Sequence, residues 1–116
     1  MANHGEEPID PTDAHAMLER GEAVLVDVRD ASAFDESHAA GARSIPIEQL
    51  EARLAELPDG VRVLTSCGGG TRGPRAAALL RDAGVDAQVV RGGLRGWRAA
   101  ELPVANGPDA EQTAHG

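Results

Sequence analysis

Two short apolar segments, each followed at once by polar residues, constrain most strongly how this chain can fold. Residues 23–28 read Ala-Val-Leu-Val-Asp-Val, and residues 61–66 read Val-Arg-Val-Leu-Thr-Ser. Apolar strands of this length are typical of a parallel sheet that is covered on both faces. Helical patterns lie between and beyond the two segments. This alternation of strands and helices indicates an α/β fold with a mainly parallel sheet.

The other predicted elements follow the same alternation. Asp10 is predicted to cap a helix that has Pro11 at its first position and ends near Gly21. Pro74 is predicted to be the first residue of a later helix that ends before Gly84. Further helices are predicted over residues 30–36 and 48–57 and around Trp97, and further short strands over residues 8–9, 42–46 and 87–90.

The length of 116 residues suits one domain with one core. Residues 6–104 are assigned to this domain, residues 1–5 to a flexible N-terminus, and residues 105–116 to a disordered C-terminal tail. No apolar run is long enough for a membrane span, and the chain does not begin with a basic and then apolar signal segment. We therefore expect a soluble, cytoplasmic, monomeric protein that has no membrane partner.

Cys67 is the only cysteine in the chain, and a glycine-rich segment follows it. We call residues 67–73 the cysteine loop; after Cys67 it contains Gly68, Gly69, Gly70, Thr71, Arg72 and Gly73. A single cysteine excludes an internal disulfide and a multi-cysteine metal site, and we expect neither a metal nor another cofactor.

The composition of the cysteine loop is typical of an anion-binding site. Its glycines allow several backbone N–H groups to point towards one small anion. The start of the following helix and the guanidinium of Arg72 add positive charge. A structural cysteine needs neither the glycines nor the arginine, so the pattern favours a reactive Cys67 thiolate.

Charge is distributed unevenly along the chain. The net charge is −8, with about −10 in residues 1–60 and about +5 in residues 61–98. We call residues 61–98 the basic segment. The acidic total argues against nucleic acid as a partner. The basic segment, which contains the cysteine loop, favours a small anionic substrate.

Two other chemistries fit the cysteine loop less well. Gly68, Gly70 and Gly73 match G-x-G-x-x-G, but a dinucleotide site also needs an acidic residue at the end of the following strand, where this chain has Arg91. A cysteine-dependent phosphatase has five residues between its cysteine and arginine, and this loop has four. The smaller ring suits a single anionic sulfur, and the loop contains no acid to protonate a leaving group.

Four segments together resemble a single-domain rhodanese, a sulfurtransferase module, over residues 6–104. In chain order they are Asp27-Val28-Arg29, then Phe34 with His38, Gly41-Ala42 and Ile45-Pro46, then the C-x-x-G-x-R loop Cys67 to Arg72, then Gly92-Gly93 with Trp97. The resemblance implies a three-layer α/β/α rhodanese-like domain with a central five-stranded, mainly parallel sheet. It also implies that Cys67 takes a sulfane sulfur from thiosulfate, mercaptopyruvate or a small persulfide. Cys67 would then hold it as a persulfide and pass it to a thiol, cyanide or a protein acceptor.

The chain also departs from the family pattern. A glutamate is often found where this chain has Ala33, and a serine commonly follows the loop arginine where this chain has Gly73. Asp27, Arg29 and His38 are expected to hold loops together rather than to contact substrate. A non-catalytic module that binds a partner or senses sulfur or redox state is the alternative. The presence of both Cys67 and Arg72 favours the enzyme.

Overall fold

The computed structural model describes residues 7–68 and 71–107, in which helices and strands alternate. The helices are α1 (Pro11–Glu19), α2 (Ala31–Glu36), α3 (Arg72–Asp82) and α4 (Gly93–Ala99), with two 3-10 helices, Ile47–Gln49 and Glu51–Glu56. The strands are β1 (Ala23–Asp27), β2 (His38–Ala39), β3 (Arg43–Ser44), β4 (Arg62–Ser66), β5 (Ala87–Val89) and β6 (Val104–Ala105). The two apolar segments that the sequence singles out form β1 and β4.

The main sheet is parallel and has the order β3-β1-β4-β5. β1 and β4 pair along their whole length, with Leu25 opposite Leu64 and Asp27 opposite Ser66. Because these neighbouring strands run in the same direction, the residues that follow Asp27 and Ser66 meet at one edge of the sheet. The polar ends of the two apolar segments therefore come together.

The prediction of five strands in this sheet is wrong within the described residues, where it has four. The segment expected to supply the fifth strand makes a single parallel bridge, from Ile9 to Val90. Its backbone is anchored on both sides, since the N–H of Ile9 donates to Val89 O and its carbonyl accepts from Arg91. Pro8 has no N–H to donate, and Pro11 starts α1 two residues later, so no longer strand forms.

Helices cover both faces of the sheet, as the three-layer prediction requires. One buried cluster lies between the sheet and the α3 side and includes Val26, Val63 and Leu80. The other includes Leu25 and Leu64, with side chains from α1, α2 and α4. Successive residues of β1 and β4 point to opposite faces, so adjacent apolar residues of each strand supply both clusters. The predicted α/β/α architecture is confirmed.

Residues 48–57 do not form the predicted regular helix. They belong to two 3-10 helices, and the second contains a non-helical residue, Arg53. The apolar residues explain the difference, because they fall in pairs spaced by three. Leu50 donates its N–H to Ile47 O, and Leu57 donates to Leu54 O. A spacing of three matches the 3-10 turn and places one member of each pair above the other.

A second, two-stranded sheet ties the C-terminal part of the domain to the rest. β2 pairs antiparallel with β6, with His38 opposite Ala105. Nearby, Nε1 of the buried Trp97 donates to Pro103 O at 2.6 Å. β6 and a hydrogen bond from Gly107 N to Asp35 O involve the first residues of the segment assigned to a disordered tail, which stays a prediction. Residues 108–116 and the predicted flexible residues 1–5 lie outside the described residues.

Candidate active site

Cys67 is the first residue after β4, at the edge of the sheet where β1 also ends. Its carbonyl accepts a hydrogen bond of 2.7 Å from the N–H of Leu94 in α4, and the preceding Ser66 O accepts from Val28 N. Cys67 is 5% exposed and packs in the cluster on the α3 side, with Ala76 and Ala77. The thiol therefore has a fixed backbone and lies just beneath the surface.

The structure describes five of the seven residues of the cysteine loop. Gly69 and Gly70 lie outside the described residues, so their predicted part in an anion-binding loop stays a prediction. Gly68 is half-buried, and a Cβ built on it would lie 3.9 Å from Cδ of Arg29. Thr71 is exposed and makes no side-chain cap to α3. Arg72, the first residue of α3, is 43% exposed in its side chain.

Gly73 brings α3 against the thiol and against β5. A Cβ at this position would lie 2.9 Å from Cγ2 of Val89 and 3.6 Å from Sγ of Cys67. Its carbonyl accepts a hydrogen bond of 2.8 Å from the hydroxyl of Thr65 in β4. Only glycine fits here without a shift of Val89 or of the helix. The absence of a side chain is therefore what allows this close approach.

Pro74 is the third residue of α3, and the prediction that it starts the helix is wrong. The helix begins two residues earlier, at Arg72. Proline is still compatible with this place, because the N–H groups of the first helical turn have no partner within the helix. The N–H of Arg75, the residue after Pro74, donates to Thr71 O at 3.3 Å.

Asp27 and Arg29 form a buried ion pair beside the cysteine loop. The shortest contact joins Nη2 of Arg29 to Oδ2 of Asp27 at 2.7 Å, and the side chains are 13% and 2% exposed. The same Nη2 donates to Ser37 O at 2.6 Å, which ties the end of β1 to the turn before β2. The predicted loop-holding role of the pair is thus what its contacts show.

The environment of Arg29 favours its charged form. The hydrogen bonds that the Arg29 guanidinium donates to Asp27 raise its pKa above the usual value, and burial opposes this effect. The charge of Asp27 acts in the same direction as the hydrogen bonds. The permanent positive charge of Arg29 therefore lies close to Gly68, the residue that follows Cys67.

His38 is part of the protein interior. It is 1% exposed, its Nδ1 lies 2.8 Å from Phe34 O, and its ring stacks on that of Phe34 with 3.6 Å between centroids. Its Nε2 is buried and has no hydrogen-bond partner among the described residues. These contacts agree with the expectation that His38 anchors its loop.

Acidic side chains from the first half of the chain partly neutralise the basic segment. Nε of Arg91 contacts Asp10 at 2.9 Å, so Asp10 contributes to an ion pair and not to the predicted side-chain cap of α1. Nη1 of Arg72 lies 3.7 Å from Oδ1 of Asp30. These two ion pairs bring charges from the acidic first half and the basic segment together.

Neither Asp30 nor Val89 was singled out from the sequence, although both lie at the site. Asp30 comes directly after the Asp-Val-Arg segment, and residues that follow neighbouring parallel strands lie at the same edge of the sheet. This rule could have identified Asp30. No local pattern indicates that Val89 faces Gly73.

The described ranges are residues 7–68 and 71–107. They contain no group of three or more histidine, cysteine or acidic side chains that could hold a metal ion. No helix in them has the length and apolar character needed to cross a membrane.

Comparison with known proteins relates the chain to one family. The family model of the rhodanese-like domain matches residues 10–100. The chain is 33% identical over 100 residues to thiosulfate sulfurtransferase GlpE of Glaesserella parasuis, covering 85% of this chain and 93% of that protein. It is 40% identical over 91 residues to the HTH-type transcriptional regulator Rv0324 of Mycobacterium tuberculosis, covering 77% of this chain but 40% of the regulator.

Solved structures show the same relationship. A thiosulfate sulfurtransferase from Pseudomonas aeruginosa superposes with a TM-score of 0.79 at 29% identity, covering 86% of this chain and 20% of that chain. The rhodanese-like domain of the Anabaena protein Alr3790 gives a TM-score of 0.76 at 29% identity, covering 85% of this chain and 78% of that domain. The chain thus spans less than half of the regulator and a fifth of the Pseudomonas chain.

Proposed function

Because the chain belongs to the family of rhodanese-like domains, we propose that it is a sulfurtransferase whose sulfur carrier is Cys67. One observation carries the proposal. The only cysteine of the chain lies at the carboxyl edge of the parallel sheet, and two arginines, Arg29 from the segment after β1 and Arg72 from α3, lie around its loop. Ligands of open α/β sheets bind at this edge.

In the first half-reaction, the Cys67 thiolate attacks the outer sulfur of the donor. In thiosulfate or a persulfide the S–S bond breaks, and in mercaptopyruvate the C–S bond breaks. The leaving group departs with the electron pair of that bond. When the donor is thiosulfate, the leaving group is sulfite. Cys67 then carries the sulfur as a persulfide.

In the second half-reaction, a nucleophilic acceptor attacks the terminal sulfur of this persulfide. The Cys67 thiolate leaves with the electron pair, so the enzyme returns to its starting state without a cofactor. Cyanide, a small thiol or a protein thiol are the proposed acceptors, and cyanide yields thiocyanate.

We assign the reaction to a monomer in the reducing cytoplasm, where a single free thiol persists.

The cysteine loop is proposed to stabilise the negative charge that moves through these steps. Arg72 suits contact with the donor, because its side chain is far more exposed than that of Arg29. Gly68, Gly69, Gly70, Thr71 and Gly73 are assigned to the same loop, where backbone N–H groups would bind the donor and the persulfide. Anionic charge that develops during a reaction is stabilised most effectively by donors already fixed in place.

Intact-mass spectrometry tests the sulfur carrier directly. Incubation with thiosulfate should add the mass of one sulfur atom to the protein, and cyanide should remove it with formation of thiocyanate. Cys67→Ser should abolish both, since the chain has no other thiol. Sulfur addition to the Cys67→Ser protein would contradict the proposal.

The burial of Cys67 and the likeness to a transcriptional regulator favour a second candidate, a non-catalytic module that senses sulfur or redox state. The two candidates differ in turnover. An enzyme should form many equivalents of thiocyanate from thiosulfate and cyanide, whereas a non-catalytic module should form no thiocyanate above the uncatalysed reaction. The same preparation should not hydrolyse aryl phosphates, because the loop interval and the absence of an acid in the loop disfavour phosphatase chemistry.

A further inference from the structure

The carboxylate of Asp30 lies beside the guanidinium of Arg72 at the edge of the cysteine loop. Their closest atoms, Oδ1 and Nη1, are 3.7 Å apart, and the side chains are 69% and 43% exposed. Asp30 is the N-cap residue of α2, yet its side chain makes no capping hydrogen bond. A short acidic side chain at an N-cap ordinarily accepts a bond from the first turn. In this chain its nearest charged partner is Arg72 instead.

The topology of the sheet places Asp30 there. Asp27 lies opposite Ser66 in the parallel register, so the residues that follow β1 and β4 lie side by side. A Cβ built on Gly68 would lie 3.9 Å from Cδ of Arg29, and the next residue, Asp30, pairs with Arg72. An acidic group from the end of β1 therefore stands next to the cation that follows the cysteine.

We infer that Asp30 is a specificity-determining residue that disfavours doubly charged sulfur donors. This inference rests on the proposed function. An exposed ion pair is weak in water, so a donor oxygen can replace the carboxylate on Arg72. The negative charge of Asp30 stays close by, and its repulsion of an incoming anion grows with the charge of that anion.

The class of donor that fits this arrangement carries one negative charge near the reacting sulfur. A persulfide on an otherwise neutral carrier meets this condition, whereas the thiosulfate dianion does not. The carboxylate of Asp27 has no comparable effect, because it is buried and bonded to Arg29. Of these two carboxylates, it is therefore that of Asp30 that an approaching donor meets.

Two donors that differ by one charge test the inference. Thiosulfate is a dianion, and methanethiosulfonate is a monoanion in which a methyl group replaces one charged oxygen. Sulfur transfer from each to cyanide should be measured for the wild-type protein, Asp30→Asn and Asp59→Asn. Asparagine is as good an N-cap residue as aspartate, so α2 should be preserved. Asp59 is an exposed residue of the turn before β4, at the opposite edge of the sheet, and its substitution removes the same charge.

Asp30→Asn should raise kcat/KM for thiosulfate by about 3- to 10-fold at low salt, and for methanethiosulfonate by about 2- to 3-fold. Added salt should reduce both gains. Asp59→Asn should change neither value by more than about 2-fold, because solvent screens a charge at that distance. Equal factors for the two donors in Asp30→Asn, or a loss with thiosulfate, would overturn the inference and make Asp30 a support for Arg72.

A second measurement keeps the inference independent of turnover. If the wild-type protein transfers sulfur from neither donor, the proposed function fails, and alkylation of Cys67 decides the role of Asp30. Anionic iodoacetate and neutral iodoacetamide react at the same sulfur, which is the only thiol in the chain. Asp30→Asn should raise the ratio of the iodoacetate rate to the iodoacetamide rate by about 2- to 3-fold, and an unchanged ratio would contradict the inference.

Discussion

Replacing Gly73 by alanine should destabilise the fold through one identifiable contact. The new Cβ would lie 2.9 Å from Cγ2 of Val89, whereas two carbon atoms ordinarily approach to about 3.5–4.0 Å. Val89 is short and β-branched, so it has little freedom to turn its methyl group aside. Either α3 or β5 must therefore move.

The expected loss is the difference between two opposing effects. Overpacking of a well-packed interior costs about 1–3 kcal/mol. Alanine also returns up to about 1 kcal/mol of helix propensity relative to glycine, and this gain is smaller in the first turn, where Gly73 is the second residue of α3. We expect the free energy of unfolding to fall by about 1–2 kcal/mol.

A double-mutant cycle measured by urea denaturation isolates the contact. Val89→Ala removes the contacting methyl group, so Gly73→Ala should cost about 1–3 kcal/mol less in that background. Gly96→Ala is the matched control, because its Cβ would lie 2.5 Å from the backbone carbonyl oxygen of Arg91, which Val89→Ala leaves in place. Equal losses for Gly73→Ala in the two backgrounds would refute the assigned contact.

Two further predictions concern ion pairs at different depths. Arg29→Gln leaves the Asp27 carboxylate buried without its partner, so the free energy of unfolding should fall by about 3–5 kcal/mol, whereas the exposed control Arg20→Gln should leave the urea midpoint unchanged. Arg53 holds the pKa of the Glu56 carboxyl below its usual value through a hydrogen bond. The pair therefore stabilises the fold at pH values above the usual pKa of a glutamate, and this contribution is lost as the pH falls through the lowered pKa. Arg53→Gln should raise the pKa of Glu56 in an NMR titration, and an unmoved midpoint would contradict the pairing.

The layers of the fold could be predicted because β1 is apolar at nearly every position and β4 carries the adjacent apolar residues Val63 and Leu64. Such segments have to be covered on both faces, and β1 and β4 supply both buried clusters. The family was also predictable, since its motifs are local in sequence and the rhodanese-like match confirms them. Where local chemistry decides the structure, reading the sequence was enough.

The errors lie where contacts between distant segments decide the structure. The pairing of β2 with β6 joins two-residue strands that carry no alternating pattern, and next to it Trp97 donates a hydrogen bond to Pro103 O. The start of α3 was misplaced because proline tolerates several positions of a first helical turn. Asp10 does occupy the N-cap position of α1 before Pro11, but its side chain makes no capping hydrogen bond and pairs with Arg91, far along the chain. The partners of β2, Trp97 and Asp10 all lie in other segments of the chain.

The two arginines at the site differ in what it costs to free them. Arg29 is bonded to a carboxylate that is almost fully buried and to Ser37 O, so turning it towards a donor would leave Asp27 uncompensated in the interior. Arg72 is paired with a carboxylate that water already solvates, so it can exchange that partner for a donor at little cost. The same guanidinium chemistry therefore gives one fixed positive charge beneath the loop and one exchangeable charge at its edge. This difference follows from burial, which is why the motif alone does not reveal it.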